Sequence, residues 1–101
     1  MPMTCKGEGC DLTLTVTGEV DHHGAKGLMA QIDRELEAVP VRTVTVDLSG
    51  VTFMDSSGIA VLLRIYRRTA EIGGDVTVRG TPAQAMKVLR TAGLSKLMKI
   101  E

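Results

Sequence analysis

The chain has 101 residues, twelve basic against twelve acidic, with one Phe, one Tyr and no Trp. That length supports one hydrophobic core, read as a single domain over 1–101. The balanced charge and scarcity of aromatics exclude an electrostatic footprint for nucleic acid or anionic membranes and a base-stacking platform.

A short strand is expected around residues 3–6, returning through Gly7-Glu8-Gly9 as a hairpin. Cys5 and Cys10 flank this turn. Without a second ligand pair they make a poor zinc site, so free thiols and no metal are expected. The N-terminus lacks a signal-peptide apolar core and no window reaches membrane-spanning length, which predicts a cytoplasmic location. Leu12, Leu14 and Val16 alternate with Thr13, Thr15 and Thr17, the pattern of a half-buried strand. Asp21 follows as an N-cap for a helix whose apolar stripe is Ala25, Leu28, Met29, Ile32, Leu36 and Val39, stopped by Pro40.

Val44-Thr45-Val46-Asp47-Leu48 alternates again as a strand, and Phe53-Met54-Asp55-Ser56-Ser57-Gly58 carries the chain from strand into helix. On that helix Ile59, Leu62, Leu63, Tyr66 and Ala70 share one direction. Val61, Ile65 and Ile72 form a second stripe, about 140° away on a helical wheel. Two readings stand here: a helix buried on two sides, or an exposed apolar strip that docks a partner. Gly73-Gly74 ends the helix. Val76 and Val78 mark a strand, and Thr81-Pro82 reads as N-cap and N1 of a helix through Ala92, with Gly93 at C′ and Leu94 at the following apolar contact. Leu97, Met98 and Ile100 suggest a last short strand. The order is β-β-α-β-α-β-α-β, an α/β plan, and the alternating strands place the helices mainly on one face of the sheet.

The chemistry concentrates at Asp55-Ser56-Ser57, at the first turn of a helix, where backbone N–H groups favour negative charge. A serine there can cap the helix, attack a carbonyl, or carry a phosphoryl group. The hydrolase reading pairs it with His22 or His23, but there is no Gly-x-Ser-x-Gly elbow and no group to orient the imidazole. No phosphate-cradling glycine loop is present, so any kinase chemistry has to come from a partner.

Taken in order, Leu14-Thr15-Val16-Thr17-Gly18-Glu19-Val20-Asp21, Val46-Asp47-Leu48-Ser49-Gly50-Val51, the Asp55-Ser56-Ser57-Gly58 turn, Ile72-Gly73-Gly74 and Ala92-Gly93-Leu94 resemble the STAS domain of bacterial anti-sigma factor antagonists over nearly the full length. The resemblance implies the STAS fold, a mixed four- to five-stranded sheet, and no enzymatic activity or cofactor. It implies Ser56 as phosphoacceptor and an anti-sigma factor that is also a serine kinase as partner. Unphosphorylated protein binds that partner and frees the sigma factor; phosphorylation at Ser56 blocks binding, and a PP2C-type serine phosphatase reverses it. Asp21, Asp55, Ser56, Ser57, Gly58, Val61 and Ile65 are the partner-binding residues this reading names. Two departures are visible: the chain stops after the last expected strand, where many relatives carry a further helix, and Ala60 stands where a second glycine is common. Another STAS role, as a stressosome scaffold or lipid-transport accessory subunit, is the alternative. A serine hydrolase is the remote one.

Overall fold

The computed structural model describes residues 3–6, 9–38 and 41–101, with side chains described for 11–37 and 42–101. Five strands, β1 (Met3–Lys6), β2 (Gly9–Val20), β3 (Val41–Met54), β4 (Asp75–Arg79) and β5 (Lys99–Ile100), form one sheet in the order β1-β2-β3-β4-β5. Three helices, α1 (His22–Ala38), α2 (Ser56–Glu71) and α3 (Ala83–Thr91), connect the last four strands, and a 3-10 turn (Leu94–Lys96), which the sequence reading did not distinguish, leads into β5. β1 pairs antiparallel with β2; every other pairing is parallel. Gly7 and Glu8 of the expected turn and the Val39-Pro40 helix stop lie outside the described residues, while Gly9 opens β2.

This topology places the helices. Each crossover steps one strand in the same direction across the sheet, and right-handed crossovers repeated that way stack their helices on one face. Side-chain alternation agrees. Leu12, Leu14, Val16, Val44, Val46, Leu48, Val76 and Val78 are buried under the helices. Thr13, Thr45 and Thr77 lie in one cross-strand row on the opposite face, beside a second row of Thr15, Asp47 and Arg79.

β3 runs well past the expected 44–48 segment. Its pairing with β2 shifts register three times, each time with an extra β3 residue. Such bulges break the two-residue period, so Val51 is buried although it is out of phase with Val44 and Val46, and Met54 is buried although it is out of phase with Val51. At one shift Gly50 lies against Thr17: a β-carbon there would sit 2.8 Å from Thr17 Cγ2.

α1 and α2 pack side by side and are tied on their solvent face by charge. Asp33 accepts from Arg64 and Arg68, and Arg68 also reaches Glu37. The Arg64 hydrogen bonds, reinforced by Arg68, hold the Asp33 carboxyl below its ordinary range. Being exposed, this network adds orientation more than stability.

The orientation of α2 corrects one expectation. Val61 and Ile65, named as an exposed docking strip, are 3% and 0% exposed and belong to the core with Leu62. Their face continues through Gly58 and Thr69, both buried. Thr69 is tolerated there because its hydroxyl donates to the Ile65 carbonyl at 2.7 Å. Ile59 and Tyr66, expected at the centre of the buried face, are only partly buried beside it. Of the second stripe only Ile72 is exposed.

The expected cap of α3 also differs. Pro82 is the N-cap, it provides no side-chain hydrogen bond, and the Thr81 hydroxyl is buried without a partner among the described residues. At the other end Gly93 adopts the left-handed conformation (φ 78°) that suits a residue without a β-carbon, and Leu94 is buried, as expected.

Candidate functional site

The Asp55-Ser56-Ser57 turn lies at the C-terminal end of β3, where parallel strands hand over to their helices and where α/β folds place ligand and partner sites. Its backbone is held from both sides. Toward β2, the Asp55 N–H donates to the Val20 carbonyl at 3.2 Å. Toward α3, the Met54 N–H donates to Gln84 Oε1 and Gln84 Nε2 donates to the Met54 carbonyl, each at 2.8 Å. One carboxamide thus occupies both hydrogen-bonding groups of the residue before the turn.

Both aspartates of the site are caps. Asp55 is the N-cap of α2 and its Oδ1 accepts from the Ser57 N–H at 2.7 Å, while its carbonyl accepts from the Gly58 N–H at 3.0 Å. Asp21 Oδ1 accepts from the Gly24 N–H at 2.9 Å at the start of α1, as expected from the sequence. Gly58 is buried: a β-carbon there would stand 2.3 Å from Met54 Cγ and 2.5 Å from its sulfur. Its bare backbone lets the buried Met54 side chain fill the space beneath the first turn of α2.

The two serines face different surroundings. Ser56 is exposed and lines a groove between α2 and α3 with Ile59, Lys87, Val88, Thr91 and Ala92. Ser57 is half-buried and lines a groove on the α1 side with His22, Ala25, Lys26, Met29 and Ala60. His22 therefore shares a surface with Ser57 and not with Ser56. Among the described residues neither histidine hydrogen-bonds a serine, and no acidic group orients either ring. Of the residues named from sequence, Asp21, Asp55, Ser56 and Ser57 converge on the accessible turn, whereas Gly58, Val61 and Ile65 lie beneath it.

Three contributors escaped the sequence reading. Gln84 and Lys87 come from α3, about thirty residues further along, and nothing local marks them. Met54 was legible only as a strand residue, although Gly58 four positions later marks the close approach it requires. Replacing Gln84 by Ala leaves both polar groups of Met54 without this partner. The expected result is about 1–2 kcal/mol lost stability and faster hydrogen exchange at the Met54 amide than in wild type. Gln84→Glu, which keeps the acceptor but not the donor, should fall between the two.

Among the described residues no group of His, Cys, Asp or Glu is arranged to hold a metal ion, and no helix is long and apolar enough to cross a membrane.

Comparison with known proteins converges on one group. Residues 3–99 match the family model described as Mlab, STAS domain. The anti-sigma F factor antagonist of Paenibacillus polymyxa is 30% identical over 89 residues, covering 88% of this chain and 76% of that protein. The fold superposes on unphosphorylated SpoIIAA, an anti-sigma factor antagonist, with TM-score 0.80 at 23% identity, covering 99% of this chain and 86% of the other. It superposes on phosphorylated SpoIIAA, a Bacillus cell fate determinant, with TM-score 0.66 at 26% identity, covering 93% and 83%. With strand order, sequence and superposition in agreement, the chain belongs to the STAS-domain family of anti-sigma factor antagonists.

Proposed function

We propose that this chain is a single-domain cytoplasmic partner switch. Its unphosphorylated form binds an anti-sigma factor with serine-kinase activity and releases the sigma factor. Phosphorylation at Ser56 ends that association, and a PP2C-type phosphatase restores it. The observation that carries this reading is the exposed residue Ser56 on a turn fixed by Val20, Gln84 and the Asp55 cap. A kinase needs an acceptor that projects from a rigid support, and Ser57, half-buried and turned toward α1, does not offer one. A phosphorylated form of a relative at 26% identity supports the same chemistry.

The switch acts at the interface. A phosphoserine brings about −1.5 to −2 charges. Closing a partner over that charge without a counter-ion costs several kcal/mol, and about 2.7 kcal/mol already weakens binding a hundredfold. Asp21 and Asp55 frame the contact, with Ser56 and Ser57 between them. Val61 and Ile65 take no part.

The test is intact-mass analysis after incubation with candidate anti-sigma kinases and ATP. One added phosphoryl group in wild type and none in Ser56→Ala is the expected result; modification that persists in Ser56→Ala would overturn the assignment. The match to a STAS-domain family model is equally compatible with a second reading, a STAS scaffold or accessory subunit of the stressosome or lipid-transport type without a sigma-factor partner. Partner binding with no modification by any kinase would select it.

A further inference from the structure

The first turn of α2 is poorly supplied to neutralise a phosphate on Ser56. The Ser57 N–H is taken by the Asp55 carboxylate and the Gly58 N–H by the Asp55 carbonyl. The Asp55 carboxylate itself, one residue away, repels a dianion. The compensation lies across the groove. Lys87 lines the same depression as Ser56, and the rest of that surface is Ile59, Val88, Thr91 and Ala92. The Thr91 hydroxyl already donates to the Lys87 carbonyl at 2.7 Å. Among the described residues Lys87 has no ion-pair partner, and α3 carries no acidic residue. The charged groups around the turn are thus Asp55 on the turn, Asp21, His22 and Lys26 in the first part of α1 or just before it, and Lys87 on α3, with His22 and Lys26 on the Ser57 side.

We propose that Lys87 is the internal counter-ion of the phosphorylated protein, binding a phosphoryl group on Ser56 across the α2–α3 groove. The proposal rests on Ser56 being the acceptor. A phosphate held in this way stretches over Ile59 and Val88. Modification would then add charge and also cover the apolar surface next to the acceptor, two obstacles to a partner from one group. It would also leave the fold intact, because the new ion pair forms between side chains that line the same groove.

The test bypasses any kinase. Phosphoserine is placed at position 56 during translation, and its second ionisation is followed by phosphorus NMR as a function of pH. A nearby ammonium favours the dianion, so the midpoint in wild type should lie at least about half a pH unit below that of Lys87→Met. Lys87→Arg should keep the low midpoint, and the gap should narrow in about 1 M salt. Equal midpoints in wild type and Lys87→Met would overturn the proposal, as would a shift that follows His22→Gln or Lys26→Met instead. Lys87 is exposed, so unmodified Lys87→Met should unfold at the wild-type temperature. Failure of every kinase to modify Ser56 would count against the switch itself; it would be seen in the mass experiment and leaves this titration readable.

Discussion

Replacing Ile65 by Ala should lower the unfolding free energy by about 3 kcal/mol and leave partner affinity of the folded fraction unchanged. Ile65 is completely buried in the core on the sheet-facing side of α2. Removing its outer carbons forfeits their transfer from water and leaves a cavity that neighbouring strands cannot close. A domain of about 100 residues has roughly 5–15 kcal/mol in total, so the loss is a large share of it. Urea unfolding should show an earlier midpoint at unchanged slope. Calorimetric titration with the partner, well below the melting temperature, should return the wild-type affinity. The reverse pattern, wild-type stability with weakened binding, would restore Ile65 and Val61 to a docking surface.

The second large effect is a coupling. Gly58→Ala improves intrinsic helix propensity by about 1 kcal/mol, yet it drives a methyl group into Met54 Cγ, Sδ and Cε. Met54 is 1% exposed and has no room to swing away. Overpacking of this kind costs about 1–3 kcal/mol, so the single variant should be less stable than wild type. Met54→Ala alone should cost about 2–5 kcal/mol through its cavity. Combined, the two should be far from additive, because the new methyl enters the space the methionine vacated. A cycle measured by thermal or urea unfolding should show the Gly58→Ala penalty vanishing in the Met54→Ala background. A penalty of the same size in both backgrounds would mean that the glycine serves some purpose other than admitting Met54. The variant also bears on the switch, since any yielding of Met54 displaces the residue Gln84 holds and moves Ser56.

The order of elements along the chain and the one-sided placement of helices were legible because Leu12-Thr13-Leu14-Thr15-Val16 and Val44-Thr45-Val46 each state a period of two. The Asp21 cap was legible because its hydrogen bond closes within three residues. The face of α2 was not. Its apolar residues fall on two stripes, and the buried face runs between them through Gly58 and Thr69, which a count of apolar residues ignores: one admits Met54, the other satisfies its own hydroxyl. The full length of β3 was hidden by its register shifts, which put Val51 out of phase with the residues before it and Met54 out of phase with Val51. At α3, Thr81-Pro82 looked like a capping pair, but the Thr81 N–H is bonded to the Glu101 carbonyl and the helix begins one residue later. The Asp55-Ser56-Ser57 turn was visible as a motif. Its supports were not, because Gln84 and Lys87 reach it only through tertiary packing.

The Gln84 carboxamide has a further consequence. β3 pairs with β4 only over residues 43–47, so its last stretch extends beyond its neighbour on that side. An uncovered strand end offers N–H and C=O groups to any other extended chain, the usual starting point for sheet-to-sheet aggregation. By taking both groups of Met54, Gln84 closes the end of β3 with one side chain where a further stretch of strand would otherwise be needed. On the proposed switch, a surface that exchanges partners through the neighbouring serine can therefore stay open without recruiting other chains through its backbone.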